Sequence, residues 1–222
     1  MSGRNTLGQA LIDAALLLDA KSVNQGMSGN LSARCDNGYL ITPSGMAYDQ
    51  CTPDDMVWMG FDGNVNGRRK PSSEWRFHHD ILASRPEIGA VIHTHSRFAT
   101  TLACLQRDTP PFHNMIAMAG GNSIRCTPYA TFGTQILSDL ALQALQERKA
   151  CLLGNHGLIV LGETLQRAVA LTIEVEALCE MYWRTLQIGQ PILLSDAEMA
   201  VVQGKFKHYG SNAQQSGPDG NQ

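Results

Sequence analysis

The sequence predicts an α/β protein whose central, mostly antiparallel sheet is flanked by helices on both sides, as in a three-layer sandwich. Helical and strand patterns alternate along the 222 residues. Several predicted strands are joined by tight turns, which favour antiparallel pairing because parallel strands need a long crossover. The chain is 43% hydrophobic and 17% charged, an ordinary globular balance that allows a sizeable core.

The first half of the chain carries one helix, a set of short strands and a second helix. An amphipathic helix is predicted over residues 6–20, where Asp13 and Asp19 interrupt the apolar run and argue against a signal peptide. A Gly-rich turn then leads into a strand in NQGMSGNLSAR, a second strand lies in GYLITPSG, and DDMVWMGFDGNV predicts a hairpin around Asp62-Gly63. PSSEWRFHHDILASRP starts with a serine cap and ends at Pro86, which predicts a helix.

The second half continues the alternation. GAVIHTHS predicts a buried strand, SRFATTLACLQR a helix, HNMIAMAGGNSIRCTPY an irregular segment with a strand, and GTQILSDLALQALQERK a helix. ACLLGNHGLIVLG predicts two strands around a turn, followed by the long helix of GETLQRAVALTIEVEALCEMYWRTLQIG and a short helix near residues 195–207. We expect one domain over residues 1–210 and a disordered tail over residues 211–222, which lacks apolar anchors.

Charge and composition exclude several classes of partner. The net charge of −3 and the pI near 6.1 give no electrostatic case for nucleic acid or an anionic membrane surface. No apolar run approaches the roughly 20 residues of a membrane span. The cysteines are dispersed without a CxxC pair, which predicts reduced thiols in the cytoplasm. They are Cys35, Cys51, Cys104, Cys126, Cys151 and Cys179.

Two histidines stand two residues apart at the end of an apolar strand, in VIHTHS. Residues i and i+2 of a strand face the same side, so His93 and His95 present two imidazoles next to each other. This geometry suits two ligands of one metal ion. The spacing is short and common, so two hydrogen-bonded polar side chains at a strand end are an equally good interpretation of this motif alone.

Two further residues extend this pattern. His156 lies in a turn between two apolar strands, where Gly154 and Gly157 permit a sharp bend, and three histidines suit a catalytic zinc with an open fourth position. Glu74 begins a predicted helix and is a candidate ligand and base. The alternatives are a histidine that caps the turn and a glutamate that stabilises the helix start.

Three short segments combine hydroxyl groups with glycine or a helix start, as anion-binding loops do. They are Met27-Ser28-Gly29-Asn30, Thr42-Pro43-Ser44-Gly45 and Ser72-Ser73. Such loops explain how an acidic protein holds a phosphate group without an arginine cluster. The remaining histidines are predicted to be surface residues or outer neighbours of the site; these are His78, His79, His113 and His208.

Taken together, ITPSG, PSSEWRFH, VIHTHS, IAMAGGNSIRCTPYATFGT and LLGNHGLI resemble the class II aldolase family that includes L-fuculose-1-phosphate aldolase and ribulose-5-phosphate 4-epimerase. The resemblance covers nearly the whole chain and is strongest to the fuculose-phosphate branch. It implies a helix-flanked antiparallel sheet, a homotetramer with active sites between subunits, and a phosphorylated sugar as substrate.

The resemblance also implies roles for individual residues. The metal, Zn²⁺ with Mn²⁺ or Co²⁺ as alternatives, would be held by His93, His95, His156 and, in the resting state, Glu74, which is also the catalytic acid and base. We expect burial beside Trp75 to raise the pKa of Glu74. Substrate would be held by a cradle that consists of Gly29, Asn30, Ser44, Gly45, Ser72 and Ser73.

Two positions depart from the family pattern. Met27 stands where the fuculose type has threonine, and Asn114 stands where it has the tyrosine that donates a proton at the aldehyde end. Tyr209 matches the second, C-terminal tyrosine. Because an amide is not a useful acid, the proton-donor role passes to Tyr209 or water, and Asn114 becomes a substrate-binding residue.

The expected reaction is reversible cleavage of a ketose 1-phosphate to dihydroxyacetone phosphate and an aldehyde. The Asn114 change favours 5-(methylthio)ribulose 1-phosphate or 5-deoxyribulose 1-phosphate, since their aldehydes lack the hydroxyl group that fuculose carries next to the new carbonyl. Alternatives are L-fuculose 1-phosphate as substrate, a methylthioribulose-1-phosphate dehydratase and a pentulose-phosphate 4-epimerase. A non-enzymatic alternative is a structural domain similar to the adducin head.

Overall fold

The computed structural model describes residues 3–206, so His208, Tyr209 and the predicted tail lie outside the described range. Six α-helices are described: α1 (Gly3–Ala20), α2 (Trp75–Ser84), α3 (Arg97–Ala103), α4 (Gln135–Ala144), α5 (Leu165–Ile188) and α6 (Asp196–Phe206). Eight strands are described: β1 (Asn30–Cys35), β2 (Gly38–Ile41), β3 (Val57–Gly60), β4 (Val65–Asn66), β5 (Ala90–Thr94), β6 (Arg125–Cys126), β7 (Ala150–Leu153) and β8 (Gly157–Gly162).

The eight strands form one sheet in the order β4-β3-β2-β1-β5-β8-β7-β6. Every pairing is antiparallel except that of β6 with β7. The predicted hairpin around Asp62-Gly63 joins β3 to β4, and Gly63 takes a φ of +86°, a conformation that glycine adopts without strain. The mostly antiparallel sheet predicted from the sequence is confirmed.

Helices cover both faces of the sheet, and the two-residue period of the strands sorts the core between them. Val91 packs with α2 and α4, whereas its neighbours Ala90 and Ile92 pack with α1 and the start of α5. In β8 the same alternation places Ile159 against α4 and Leu158 against α3 and α5. Because side chains of a strand alternate between faces, each central strand contributes to two cores.

Three short 3₁₀ helices were not predicted. They span Tyr48–Gln50, Pro53–Asp55 and Asn114–Ala119. The third occupies much of the segment predicted as irregular, and His113 caps it by accepting a hydrogen bond from the Met115 N–H group at 3.2 Å. Among residues 3–206, no helix combines the length and the apolar character needed to cross a membrane.

The turn between β5 and α3 is fixed by a carboxylate from the long helix α5. The two carboxylate oxygens of Glu176 accept hydrogen bonds from the N–H groups of Phe98 and Ala99, at 2.8 and 2.9 Å. These N–H groups belong to the first turn of α3, and the N–H groups of a first turn have no acceptor within their own helix. Glu176 is only 8% exposed, so this contact anchors the chain immediately after His95.

Substituting Glu176 by leucine should lower the free energy of unfolding by about 2–3 kcal/mol, because two buried N–H groups lose a charged acceptor. Glu176→Gln, which keeps one acceptor oxygen, should lose about half as much. Urea unfolding monitored by circular dichroism measures both. The matched control is Glu180→Leu, on the same helix, which removes only an exposed pair with Arg184 and should cost less than about 0.5 kcal/mol. If Glu176→Leu and Glu180→Leu lowered the free energy of unfolding equally, Glu176 would not be an anchor of α3.

Candidate functional site

The three histidines and the glutamate singled out in the sequence converge in the structure. One possible ligand atom from each of Glu74, His93, His95 and His156 lies within 4.8 Å of all the others. The Nε2 atoms of His93 and His95 are 3.1 Å apart. The carboxylate of Glu74 lies 3.3 Å from Nε2 of His93 through Oε2 and 3.2 Å from Nε2 of His156 through Oε1.

The fold explains this convergence. His93 lies two residues after Val91 in β5, so its side chain points to the same face of the sheet, which α2 covers. Its ring packs edge-on against Phe77, with ring centroids 5.5 Å apart. Glu74 immediately precedes α2 on that face. His156 lies in the turn between β7 and β8, and β8 pairs with β5. Three separate sequence motifs therefore meet at one end of the central strands.

Close packing explains why glycine flanks His156. A Cβ atom on Gly157 would stand 2.6 Å from the Thr94 carbonyl oxygen and 3.1 Å from both the His93 and His95 rings. A Cβ atom on Gly154 would stand 2.4 Å from the Thr127 carbonyl oxygen. Real Cβ atoms do not approach so closely, so these glycines allow the turn to enter the site.

The donor set fits a divalent transition metal. Nδ1 of His93 lies 3.0 Å from the Leu158 carbonyl oxygen, and a hydrogen bond there leaves the lone pair of Nε2 directed at the cluster. Three pairs of donor atoms stand 3.1–3.3 Å apart and all four lie within 4.8 Å of one another, which suits ligands about 2 Å from a shared ion. The buried Oε1 of Glu74 accepts no hydrogen bond from the described residues, so it is an orphaned acceptor that a cation would satisfy.

Burial and the proximity of other histidines keep His95 and His156 neutral. Desolvation, followed by the nearby His93, lowers the pKa of His95 and that of His156 to about 4 each. Both imidazoles therefore have a free lone pair at neutral pH, as metal ligation requires.

Glu74 is ionised, contrary to the expectation of a raised pKa. Burial does raise the pKa of this carboxyl group, but the adjacent His93, His156 and Asn30 outweigh burial and lower it to about 2. Glu74 is the N-cap residue of α2, yet its side chain makes no capping hydrogen bond. Its side chain turns toward the histidines, so the alternative of a purely helix-capping role does not describe this structure.

A buried hydrogen-bonded chain stands behind Glu74. Nδ2 of Asn30 donates to Oε2 of Glu74 at 2.9 Å, Oδ1 of Asn30 lies 2.6 Å from Nε2 of His78, and Nδ1 of His78 lies 2.7 Å from the Ser32 hydroxyl group. His78 is fully buried. The sequence placed His78 only among surface or outer residues; its partners are distant in the chain, and a mid-helix histidine gives no sign of them.

The predicted cradle residues line one cavity of about 370 Å³ next to Glu74, His95 and His156. The N–H group of Ser44 donates a hydrogen bond to the Lys70 carbonyl oxygen, and that of Ser72 donates to the Thr42 carbonyl oxygen. These bonds lie where the two loops pair at Pro43 and Pro71. The N–H groups of Gly45 and Ser73 have no such partner among residues 3–206. Among residues 3–206, no lysine or arginine lines this cavity. The lining includes Met27, Ser28, Gly29, Asn30, Ser44, Gly45, Ser72, Ser73, Tyr129, Phe132 and Asn155.

Of the two remaining predicted site residues, only Asn114 is described by the structure. Asn114 is exposed at the start of its 3₁₀ helix and does not line the cavity. Tyr209 lies outside the described residues. Tyr129, Phe132 and Asn155 line the cavity but were not singled out from the sequence, although each is next to or inside a motif that was.

Three imidazoles and a carboxylate, held at the end of a helix-covered antiparallel sheet beside a cavity lined by hydroxyl and backbone groups, suit a metal-dependent enzyme that acts on a small anionic substrate. Residues 9–183 match the family described as Class II Aldolase and Adducin N-terminal domain. The chain belongs to this family.

Curated relatives support the same assignment over the full chain. The 5-methylthioribulose-1-phosphate/5-deoxyribulose-1-phosphate aldolase of Rhodospirillum rubrum is 55% identical over 215 residues, 97% of each chain. The L-fuculose phosphate aldolase of Escherichia coli K12 is 47% identical over 208 residues, 93% of this chain and 97% of that one. A solved L-fuculose 1-phosphate aldolase superposes with a TM-score of 0.89 at 38% identity, covering 93% and 98% of the two chains.

The buried His78 predicts a measurable pH dependence of stability. Desolvation, followed by the nearby His93, lowers the pKa of His78 to about 3. Below pH 6.5 the unfolded chain therefore binds a proton that the folded chain does not, and this group's contribution to the free energy of unfolding falls by about 1.4 kcal/mol per pH unit. Relative to His78→Gln, wild type should lose stability more steeply between pH 6 and 4.5, as measured by urea unfolding with chelator present. The control is Ser32→Ala, which keeps His78 and should show the same dependence of unfolding free energy on pH as wild type. If the unfolding free energies of wild type and His78→Gln changed in parallel with pH, the prediction would be wrong.

Proposed function

We propose that this protein is a class II aldolase that reversibly cleaves a ketose 1-phosphate to dihydroxyacetone phosphate and an aldehyde. The observation that carries the proposal is the convergence of Glu74, His93, His95 and His156 beside a cavity. Its described lining offers backbone N–H groups and hydroxyls and, within residues 3–206, no cationic side chain. The preferred substrates are 5-(methylthio)ribulose 1-phosphate and 5-deoxyribulose 1-phosphate. The Rhodospirillum rubrum relative, whose name specifies both, supports this choice.

The proposed cofactor is one zinc ion per subunit, with Mn²⁺ or Co²⁺ as alternatives. His93, His95 and His156 would hold it, with Glu74 as the fourth ligand before substrate enters. A bound divalent ion would supply Lewis-acid stabilisation of the negative charge that develops on the substrate oxygens. An intact donor set also argues against a purely structural role similar to that of the adducin head.

The phosphate group of the substrate would lie against the two loops that bridge at Pro43 and Pro71. There the N–H groups of Gly45 and Ser73 and the hydroxyls of Ser44, Ser72 and Ser73 donate hydrogen bonds to it. Gly45 has a φ of +65°, so its backbone is presented to the cavity in a conformation that a larger residue would adopt only with strain. Gly29 and Asn30 complete the cradle.

Glu74 is the proposed acid and base. Asn30 occupies Oε2, so Oε1 is the oxygen available for proton transfer. In the direction of synthesis, the Glu74 carboxylate accepts a proton from C3 of dihydroxyacetone phosphate. C3 then attacks the aldehyde carbon, and the aldehyde oxygen takes a proton from Tyr209 or water. In the direction of cleavage, the C4 hydroxyl gives its proton to Tyr209 or water, the C3–C4 bond breaks with its electron pair passing to C3, and Glu74 returns the proton to C3.

We propose a homotetramer with active sites between subunits, located in the cytoplasm. The exposed position of Asn114, away from its own cavity, supports the intersubunit site, since Asn114 can then act only in a neighbour's cavity. Tyr129 and Phe132 are apolar rim residues with more than half of their surface exposed, which suits coverage by a second subunit. The six free cysteines are consistent with a reducing compartment.

L-Fuculose 1-phosphate is the second candidate substrate, supported by the names of the Escherichia coli relative and the solved structure. A panel of ketose 1-phosphates, assayed for dihydroxyacetone phosphate with a coupled reductase, distinguishes the two. We expect kcat/KM for 5-deoxyribulose 1-phosphate to exceed that for L-fuculose 1-phosphate by at least tenfold. Asn114→Tyr should reduce this ratio, because it restores a phenol near the aldehyde hydroxyl. Equal or better turnover of the fuculose compound by wild type would overturn the substrate choice.

Glu74→Gln should abolish turnover while sparing substrate binding. The amide is similar in size but cannot carry the proton, so exchange of the C3 hydrogen of dihydroxyacetone phosphate with deuterium from solvent should fall by at least 100-fold, as followed by NMR without aldehyde. The three histidines remain, so metal content should stay near one per subunit, and its measurement is the control. Exchange near the wild-type rate would exclude Glu74 as the base.

A further inference from the structure

Hydrogen bonds among Ser32, His78, Asn30 and Glu74 link strand β1 to the start of helix α2, and we call these four residues the buried ring. Asn30 and Ser32 are two residues apart on β1 and therefore share a face. Glu74 and His78 are four residues apart at the start of α2 and therefore share a helix side. All four residues are buried, with at most 5% of the residue surface exposed, so each polar group depends on its protein partners.

The hydrogen bonds of this ring can run in only one direction while Glu74 is ionised. A carboxylate oxygen accepts hydrogen bonds, so the Asn30 group that faces it must be the NH₂ group. The Asn30 carbonyl then faces His78, so Nε2 of His78 must donate. Nδ1 of a neutral imidazole must consequently accept from the Ser32 hydroxyl.

From this geometry we infer that His78 is a positioning residue, held as the Nε2–H tautomer, that fixes the Asn30 amide orientation and through it the Glu74 carboxylate. The inference rests on the proposed function, because it assigns a purpose to a group behind the proposed base. An amide has nearly the same shape after a half turn, so packing alone does not select its orientation. In the opposite orientation the Asn30 carbonyl oxygen would face the Glu74 carboxylate. Repulsion between these oxygens would move the carboxylate away from the histidines.

His78 suits this role because it is outside the proposed ligand set and inside the packed core. Its ring stacks on Phe77 at a centroid distance of 4.8 Å, and Phe77 in turn contacts His93. Stacking fixes the ring plane, and the two hydrogen bonds fix its rotation. A displacement of a catalytic carboxylate by about 1 Å slows the reaction strongly. Loss of a residue that orients such a group typically lowers activity by about 10–100-fold.

The kinetic test compares two substitutions of the same side chain in metal-loaded enzyme. His78→Leu removes the donor to Asn30 and should lower kcat by about 10–100-fold, with KM changed less than about threefold and metal content unchanged. His78→Gln can place an amide N–H near the position of Nε2 and should recover kcat to within about threefold of wild type. Equal kcat for the leucine variant and wild type would overturn the inference, as would equal losses in both variants.

A second measurement separates positioning from a general effect on folding. Asn30→Ala removes the residue through which His78 acts, so adding His78→Leu to it should change kcat by less than about threefold. A structural role of His78 would instead lower kcat by the same factor in both backgrounds. Full additivity of the two substitutions would therefore overturn the inference.

The tautomer itself can be measured without turnover. Nitrogen-15 NMR of wild type labelled at histidine should find His78 neutral and protonated at Nε2, with the resonance assigned by its absence from His78→Gln. Protonation at Nδ1, or at both nitrogens, at pH 7 would overturn the inference. A wild type that releases no dihydroxyacetone phosphate but has the Nε2–H tautomer would instead refute the proposed function alone.

Discussion

The pairing of β1 with β5 places Asn30 directly opposite His93, and the other contacts of the site depend on this register. Because side chains alternate between faces, a slip of one residue would move His93 into the core beneath α1 and take Asn30 away from Glu74. The apolar neighbours resist such a slip: Val91 fits the core with α2, and Ile92 fits the core with α1. Hydrophobic burial on both faces of the sheet therefore fixes the positions of the polar groups at its end.

The same arrangement explains how so many polar groups remain buried together. An unpaired polar group in a core costs free energy, and an unpaired charge costs more. Here Glu74 receives a hydrogen bond from Asn30, His93 is oriented by the Leu158 carbonyl, and Glu176 satisfies the start of α3 next to His95. Glu74 and His93 are thus held directly by residues of other elements, and the backbone next to His95 is held by a third. Precision at the centre comes from this outer layer rather than from the four central side chains alone.

The sequence predicted the parts of this structure that depend on local pattern. The period of two placed His93 and His95 together, and the glycines around His156 predicted a sharp turn. The serine cap of PSSEW predicted a helix start near Glu74, and Glu74 is itself the N-cap residue of α2. It did not predict the role of His78, because Asn30 lies 48 residues away and their contact depends on strand register. It also missed the lowered pKa of Glu74: the apolar neighbour Trp75 is visible in sequence, whereas the approach of His93 and His156 requires the fold. The short 3₁₀ helices carry too few residues for a periodic signal.

Within the part of the chain that the structure describes, neither lysine nor arginine lines the cavity, and this composition is compatible with the same electrostatic arrangement. Glu74 must remain beside the histidines, and it is held there by the neutral donor Asn30. A mobile cation in the cavity would form a stronger, charge-assisted pair with this carboxylate and draw it away. Backbone N–H groups attract an anionic substrate without this competition, because their positions are fixed by the chain. An anion cradle built from loops, rather than from basic side chains, is therefore the form compatible with an ionised, precisely placed Glu74.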